Sequence, residues 1–217
     1  MNVLIFGATG SAGGSVLRAS LASPLVREVR AITRRSLPLA HPKLRTVLHQ
    51  DYLDYTKVAD AFAEVDACLF CLGVSATQVR GEDAYRAVTH DLTLAAARAL
   101  RAASPAAAFH YISGQGTNPA SRFMWSRVKA ATERELIEQF DGVCWRPAVI
   151  DGEPSASAPR PYQALRPLFR LLRPFRSLYV TGADLGRAML QATAERMRGC
   201  IVENAQIRDI AERAPRR

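Results

Sequence analysis

Gly7-Ala8-Thr9-Gly10-Ser11-Ala12-Gly13 follows the apolar run Asn2 to Phe6 and opens a helix-forming stretch. At this spacing Gly7 permits a tight turn, Gly10 lets backbone approach a pyrophosphate, and Gly13 lets the helix pack closely. The helix start adds free N–H groups and a positive dipole end, so Thr9, Ser11 and Ala12 join the glycines in a candidate dinucleotide cradle. The second apolar run ends Thr33-Arg34-Arg35-Ser36. A site for NAD usually presents a carboxylate there to the ribose 2′-hydroxyl, whereas two guanidinium groups suit a 2′-phosphate. NADP is therefore expected, with NAD the less favoured cofactor. Asp51, beyond the third run, is placed either to reach the adenine or to cap the helix beginning near Asp54 to Thr56. Leu72-Gly73, after the fourth run, puts a small residue beside the adenosine ribose and pyrophosphate.

The elements that must position these residues alternate along the chain. Strands are expected at Asn2 to Phe6, Glu28 to Thr33, Arg45 to His49, Ala67 to Leu72, Phe109 to Ser113, Val143 to Pro147 and Cys200 to Glu203. Helical periodicity covers Gly14 to Ala22, Tyr55 to Ala63, Ala84 to Ala103, Phe123 to Gln139 and Ala183 to Arg196. This order predicts an α/β fold: a doubly wound parallel sheet of Rossmann type with a small C-terminal lobe, forming a single domain over residues 1–217. Five prolines between Asp151 and Arg176 interrupt the pattern, so 151–176 reads as an insertion within that domain. Its second half, YQALRPLFRLLRPFRSL, suits a substrate lid, a subunit contact or a membrane-surface patch.

Composition narrows the function classes. The formal charge of +9 is carried almost wholly by arginine, since Lys43, Lys57 and Lys129 are the only lysines. No nucleic-acid recognition motif accompanies that charge, so nucleic acid is not an expected partner. No apolar run reaches the ~18 residues of a membrane helix. The start MNVLIFGATG has no basic region ahead of its apolar stretch, and a cytoplasmic protein is expected. Cys68, Cys71, Cys144 and Cys200 lie in or beside apolar runs and read as buried thiols, and no metal is assigned because the four histidines lack ligand spacing.

The glycine loop, the Cys71-Leu72-Gly73 turn, Tyr111-Ile112-Ser113-Gly114-Gln115-Gly116, Lys129 and Arg146-Pro147 together resemble the atypical short-chain dehydrogenase/reductases, and within them the HIV Tat-interacting-protein-like branch. The likeness extends through Val180 to Leu190 and Glu203-Asn204-Ala205. It implies that Ser113, or the adjacent Gly114, falls at the substrate-orienting serine, that Lys129 is the lysine of a Tyr-x-x-x-Lys pair, and that Arg146 and Pro147 join the cofactor contacts. Four residues before Lys129, where the family has its tyrosine, stands Trp125. An indole N–H donates a hydrogen bond but does not ionise near neutral pH. Tyr111, Ser126 and Tyr85 are candidate substitutes, and nothing in the sequence selects one. The resemblance implies an NADP(H)-dependent oxidoreductase reducing a small quinone, flavin or carbonyl acceptor, in a chain that could form a homodimer. A non-catalytic NADP(H)-binding regulator and a nucleotide-sugar epimerase are the alternatives.

Overall fold

The computed structural model describes residues 1–152 and 170–215. Its centre is a seven-stranded sheet in the order β3-β2-β1-β4-β5-β6-β9. The strands are β1 (Asn2–Phe6), β2 (Glu28–Thr33), β3 (Leu44–Leu48), β4 (Ala67–Phe70), β5 (Ala108–Ile112), β6 (Val143–Arg146) and β9 (Cys200–Glu203). Every adjacent pair is parallel. The chain winds outward from β1 through β2 to β3, then returns to β4 and winds the other way. The strand order therefore reverses between β1 and β4, where open α/β sheets form a crevice at the carboxyl ends of their strands.

Both faces of the sheet are covered, which is why β1 reads as a continuous apolar run rather than an alternating one. Val3 and Ile5 pack on Val16 and Leu17 of α1 (Ser11–Ala22), on Leu185 and Met189 of α5 (Gly182–Ala194), and on Ile207 of α6 (Asn204–Arg213). Leu4 and Phe6 point the other way, towards Phe62, towards Leu94 and Leu100 of α3 (Leu92–Ala103), and towards Leu136 of α4 (Met124–Phe140). The Phe6 ring lies 5.1–6.2 Å from those of Tyr52, Tyr55, Phe62 and Phe70.

Several elements differ from expectation. The helix expected over Tyr55 to Ala63 is a 3-10 helix, Thr56–Phe62, with Val58 out of helical geometry. The long helix expected over Ala84 to Ala103 is three pieces: α2 (Glu82–Arg86), a π turn (Ala87–Asp91) and α3. The π turn brings the His90 ring between two carboxylates, 2.8 Å from Asp91 and 3.1 Å from Glu135 of α4. Two short strands were not foreseen: β7 (Val149–Asp151) and β8 (Tyr179–Thr181), which pair in parallel as a separate small sheet. They bracket the proline-rich insertion. Of the amphipathic stretch expected at its end, the part before Arg170 lies outside the described residues, and the remainder forms one 3-10 turn, Arg170–Leu172, followed by tight turns. All four cysteines are free, and burial pushes the thiols of Cys68, Cys71 and Cys144 up. Among the described residues no helix is long and apolar enough to cross a membrane, and no group of three or more His, Cys, Asp or Glu side chains could hold a metal ion.

Candidate functional site

The carboxyl ends of β1, β4, β5 and β6 deliver the glycine loop, Leu72-Gly73, Ser113 and Pro147 to one edge of the sheet, as parallel neighbours must. At the first of these, Gly7 has φ 75°. A Cβ there would lie 2.6 Å from the Cys71 carbonyl oxygen, and one on Gly13 would lie 2.1 Å from the Gly7 oxygen. Both glycines are demanded by the fold itself. Gly10 is different. Its N–H donates to the Gly7 oxygen at 2.9 Å, and an added Cβ would meet nothing nearer than that oxygen at 3.3 Å. Gly73 would meet nothing within 4 Å. The packing of the protein tolerates a side chain at these two positions far better than a ligand lying against the backbone would. Helix α1 starts at Gly10 with no side-chain cap and no acidic residue in its first turn. A helix start of this kind, without a capping side chain, has the form that suits an anion. Thr9 is exposed and Ser11 and Ala12 are half-buried beside them.

At the end of β2 the buried Thr33 donates its hydroxyl to the Arg35 carbonyl at 2.6 Å, and the Gln50 amide donates to the Arg34 carbonyl at 2.7 Å. These bonds hold the turn by its backbone and leave both arginine side chains exposed. Neither guanidinium has a hydrogen-bond or ion-pair partner among the described residues. Sequence reasoning missed Gln50. Of the two readings of Asp51, the helix cap is removed: its carboxylate accepts the Leu53 N–H at 3.0 Å in a local turn, while Asp54 accepts the Thr56 N–H at 2.9 Å. Asp51 remains exposed beside the β2 turn.

At the β5 end, Ser113 is fixed by its N–H, which donates to the Trp145 carbonyl at 2.7 Å. Its hydroxyl is 3.1 Å from that of Thr117, which in turn donates to the Gly114 carbonyl at 2.8 Å. Lys129 of α4 donates to the Ser113 and Ile112 carbonyls at 2.9 and 3.3 Å, and its ammonium stands 5.4 Å from the centre of the Tyr111 ring. Burial lowers the Lys129 pKa to about 8, against the opposing pull of Glu133 one turn along α4. Glu133 is itself almost wholly buried and takes both sides of the Arg146 fork, at 2.9 and 2.6 Å. Arg146 also reaches Glu203 at 3.0 Å. The Arg146 guanidinium is thus committed to carboxylates of α4 and of the β9 end, and only the adjacent Pro147 faces the cleft, its carbonyl accepting the Gln115 N–H at 2.9 Å. The Glu133–Arg146 pair was not foreseen.

Trp125 is half-buried at the start of α4 with its ring edge against Gly116, where a Cβ would lie 3.6 Å from Cη2. None of the three candidate substitutes is free for proton transfer. Tyr111 and Tyr85 are buried, and that burial raises both phenols above their ordinary pKa. Ser126 is buried too, accepting the Asn118 N–H and donating to the Gly116 carbonyl, both at 2.8 Å. It shapes the loop.

Beside Ser113 opens a cleft of about 430 Å³ between the β5 and β6 ends and the small β7–β8 sheet. A larger cavity, about 560 Å³, lies between α1 and α5 around Arg18 and Arg187, and its lining shares no residue with the cleft or the glycine loop's turn. The chemistry-bearing side chains place the candidate site at the smaller one.

Comparison with known proteins bears on the family and the fold. The model of the NAD dependent epimerase/dehydratase family matches residues 3–130. The chain is 30% identical over 138 residues to Protein FMP52, mitochondrial, of Saccharomyces cerevisiae, covering 63% of this chain and 59% of that protein. It is 30% identical over 154 residues to Protein HTATIP2 of Rattus norvegicus, covering 69% and 62%. It therefore spans about three fifths of the length of these two relatives. Among solved structures, a dTDP-glucose 4,6-dehydratase from Streptomyces venezuelae with NAD bound superposes with a TM-score of 0.69 at 19% identity, over 97% of this chain and 80% of that one. A short-chain dehydrogenase/reductase family oxidoreductase from Burkholderia thailandensis gives 0.66 at 18%, over 95% and 92%. At such identities the likeness concerns the fold, which is the doubly wound dinucleotide-binding sheet expected from sequence. The cytoplasmic expectation is corrected, because the FMP52 relatives from Saccharomyces cerevisiae and Aspergillus clavatus are named as mitochondrial.

Proposed function

The chain belongs to the NAD dependent epimerase/dehydratase family, and from that premise we propose that it is an NADP(H)-dependent oxidoreductase passing hydride to a small quinone, flavin or carbonyl acceptor. The observation that carries this reading is a placement. An uncapped helix N-terminus, two unpartnered guanidinium groups and the Lys129–Ser113 contact all sit at the carboxyl edge of one parallel sheet.

Each part has a task. The α1 N–H groups and the open backbone at Gly10 bind the pyrophosphate. Arg34 and Arg35 bind the 2′-phosphate, with Thr33 and Gln50 holding their turn in place, and Asp51 lies near enough to that turn to meet the adenosine. Lys129 holds the nicotinamide ribose. Ser113 orients the acceptor oxygen at the head of the cleft. The bound dinucleotide supplies the hydride. Trp125 contributes an N–H donor and no transferable proton, so the proton that completes the reduction comes from water. A quinone or flavin suits such a site better than a simple ketone, because positioned acid–base catalysis, typically ~10²–10⁴ in rate, is what the site lacks.

Trp125 is also the observation that favours a second reading, a protein that binds NADP(H) and responds to it without turnover. One set of measurements separates the two. NADPH and NADH affinities are compared in the wild type and in the Arg34→Ala/Arg35→Ala double variant, and NADPH oxidation is followed with quinones, flavins and aldehydes. The expected outcome is that the double variant weakens NADPH at least tenfold and NADH little, since two charge-assisted contacts are lost. Equal weakening of both cofactors would remove the 2′-phosphate assignment. Tight NADPH binding with no turnover on any acceptor would establish the regulator.

A further inference from the structure

The cleft beside Ser113 contrasts with the cofactor edge in its chemistry. Its walls are Pro147, Ala148, Val149 and Ile150 on one side and Leu172 and Leu178 on the other, and its polar groups are the Ser113 hydroxyl and the Gln115 amide at its head. No ionisable side chain lines it among the described residues. In a chain with 29 Lys and Arg residues that absence matters, because a nucleotide-sugar diphosphate would need cations here. The apolar wall also continues outward. Leu178 belongs both to the cleft and to the surface, at 42% exposure, and beside it Phe175 is 56% and Leu171 68% exposed. Three of the large exposed apolar side chains among the described residues thus fall within eight residues, on the segment that also supplies Leu172 and Leu178 to the cleft wall.

Nor are they a loose loop. The Phe175 and Leu178 N–H groups donate to the Leu172 and Phe175 carbonyls at 2.9 and 3.0 Å, forming two consecutive turns, and the Val149 N–H donates to the Leu178 carbonyl at 3.1 Å. The polar side of the segment is tied down to α6. Arg176 bonds Glu212 at 2.8 Å and also Asp209, the Asn204 amide donates to the Arg176 carbonyl at 2.7 Å, and Arg208 donates to the Arg173 carbonyl at 3.0 Å. With the backbone pinned from behind, Leu171, Phe175 and Leu178 are presented to solvent at a fixed place. Exposed apolar side chains held this way mark a contact surface, and the cleft they adjoin indicates what covers them.

We propose that the cleft takes an uncharged acceptor with a hydrocarbon tail, the polar head lying at Ser113 and Gln115 and the tail leaving over Leu178, Phe175 and Leu171. This rests on the oxidoreductase reading for the identity of the head and on the apolar track alone for the tail. The patch is the binding site for that tail, and the specificity it confers is for lipophilic over water-soluble acceptors.

The test measures binding as well as turnover. Benzoquinones carrying no tail, one five-carbon isoprenoid unit or two are titrated, below their aggregation limits, against the NADP⁺-loaded protein by tryptophan fluorescence, and NADPH oxidation is followed in parallel. Affinity is expected to rise on the order of threefold to tenfold per unit, since the track covers only one side of the tail. The Leu171→Ser/Phe175→Ser variant should flatten that rise while leaving the tailless quinone and NADPH binding unchanged. Leu48→Ser, at an exposed apolar position on β3, should keep it. Affinity independent of tail length in the wild type overturns the proposal. So does UDP-glucose binding more tightly than every quinone, or a double variant that changes only self-association or vesicle binding. A rise with tail length but no turnover supports the tail site and rejects the oxidoreductase reading, so the two fail separately.

Discussion

Lys129 sits in an environment unlike that of an ordinary helix lysine. An amphipathic helix normally lets a lysine reach water, yet here the ammonium gives two of its three N–H groups to the Ser113 and Ile112 carbonyls, and burial lowers its pKa from the ordinary 10.5 to about 8. In the unfolded chain the same amine titrates near 10.5, so between about pH 8 and 10.5 the unfolded state binds more protons than the folded one. Stability on account of this group therefore rises with pH across that window, and below pH 8 the buried charge counts fully against the fold. Replacing Lys129 by Met removes the charge and leaves two carbonyls without a donor. The expected result is that the wild type gains thermal stability relative to Lys129→Met between pH 8 and 10.5, the difference being flat below pH 8. A difference that does not change with pH would mean that the ammonium is solvated. NADPH affinity should fall at least several-fold in the same variant, which calorimetry reads independently of stability.

At the scale of elements, the Glu133–Arg146 pair joins α4 to β6, and the Arg146–Glu203 bond carries the tie to the start of α6. Breaking a buried pair leaves an uncompensated charge, at a cost of ~3–5 kcal/mol in full burial. Because Arg146 keeps Glu203 and some water, Glu133→Gln is expected to cost about 2–3 kcal/mol in urea unfolding. It should also move Lys129 below its present pKa of about 8, because Glu133 is the charge that opposes desolvation there. Loss of stability without that shift would separate the brace from the site. This pair also shows what the sequence could and could not disclose. The glycine loop was legible because its three glycines fall within seven residues directly after an apolar strand, and the sheet because both of its faces are covered and its central strands β1 and β4 read as near-continuous apolar runs. Glu133 and Arg146 lie thirteen residues apart on different elements, and Gln50 reaches back sixteen residues to Arg34, so no local pattern marks them. Strands β7 and β8 are three residues each, too short for a period to show. The break between α2 and α3 keeps a helical rhythm on either side, so periodicity alone does not reveal it. Helix α6 is highly charged, and its sequence signal is the capping box formed by Glu203 and Gln206.

For the molecule as a whole, one face of the sheet holds a buried group that is neutral in the fold and takes up a proton in acid once the chain unfolds. The face covered by α1, α5 and α6 contains His110, fully buried on β5 and bonded into the packing from both sides. The Trp145 indole donates to Nδ1 at 3.1 Å, which makes that nitrogen the acceptor and leaves Nε2 to donate to the Thr193 hydroxyl at 2.9 Å. The Thr193 hydroxyl in turn donates to the Met189 carbonyl at 2.9 Å. Neutral His110 thus completes a chain linking β5, β6 and α5, and an imidazolium would have to place a second proton against the indole N–H. Burial accordingly lowers its pKa to about 3, with Arg198 adding repulsion. The unfolded chain takes up that proton near pH 6.5, so from 6.5 down to about 3 the unfolded state binds one more proton and stability falls with pH. One proton corresponds to about 1.4 kcal/mol per pH unit. His110→Gln keeps a donor and an acceptor and cannot charge. It is expected to be less stable than the wild type at pH 7 by about 1–3 kcal/mol, from imperfect packing and bonding. The gap should close as the pH drops from 6.5 towards 4, because only the wild type then loses stability through this site. Urea unfolding across that range measures both slopes. Parallel slopes would show that acid acts on this fold through its carboxylate pairs and net charge of +9 alone, and not through the histidine at the centre of its core.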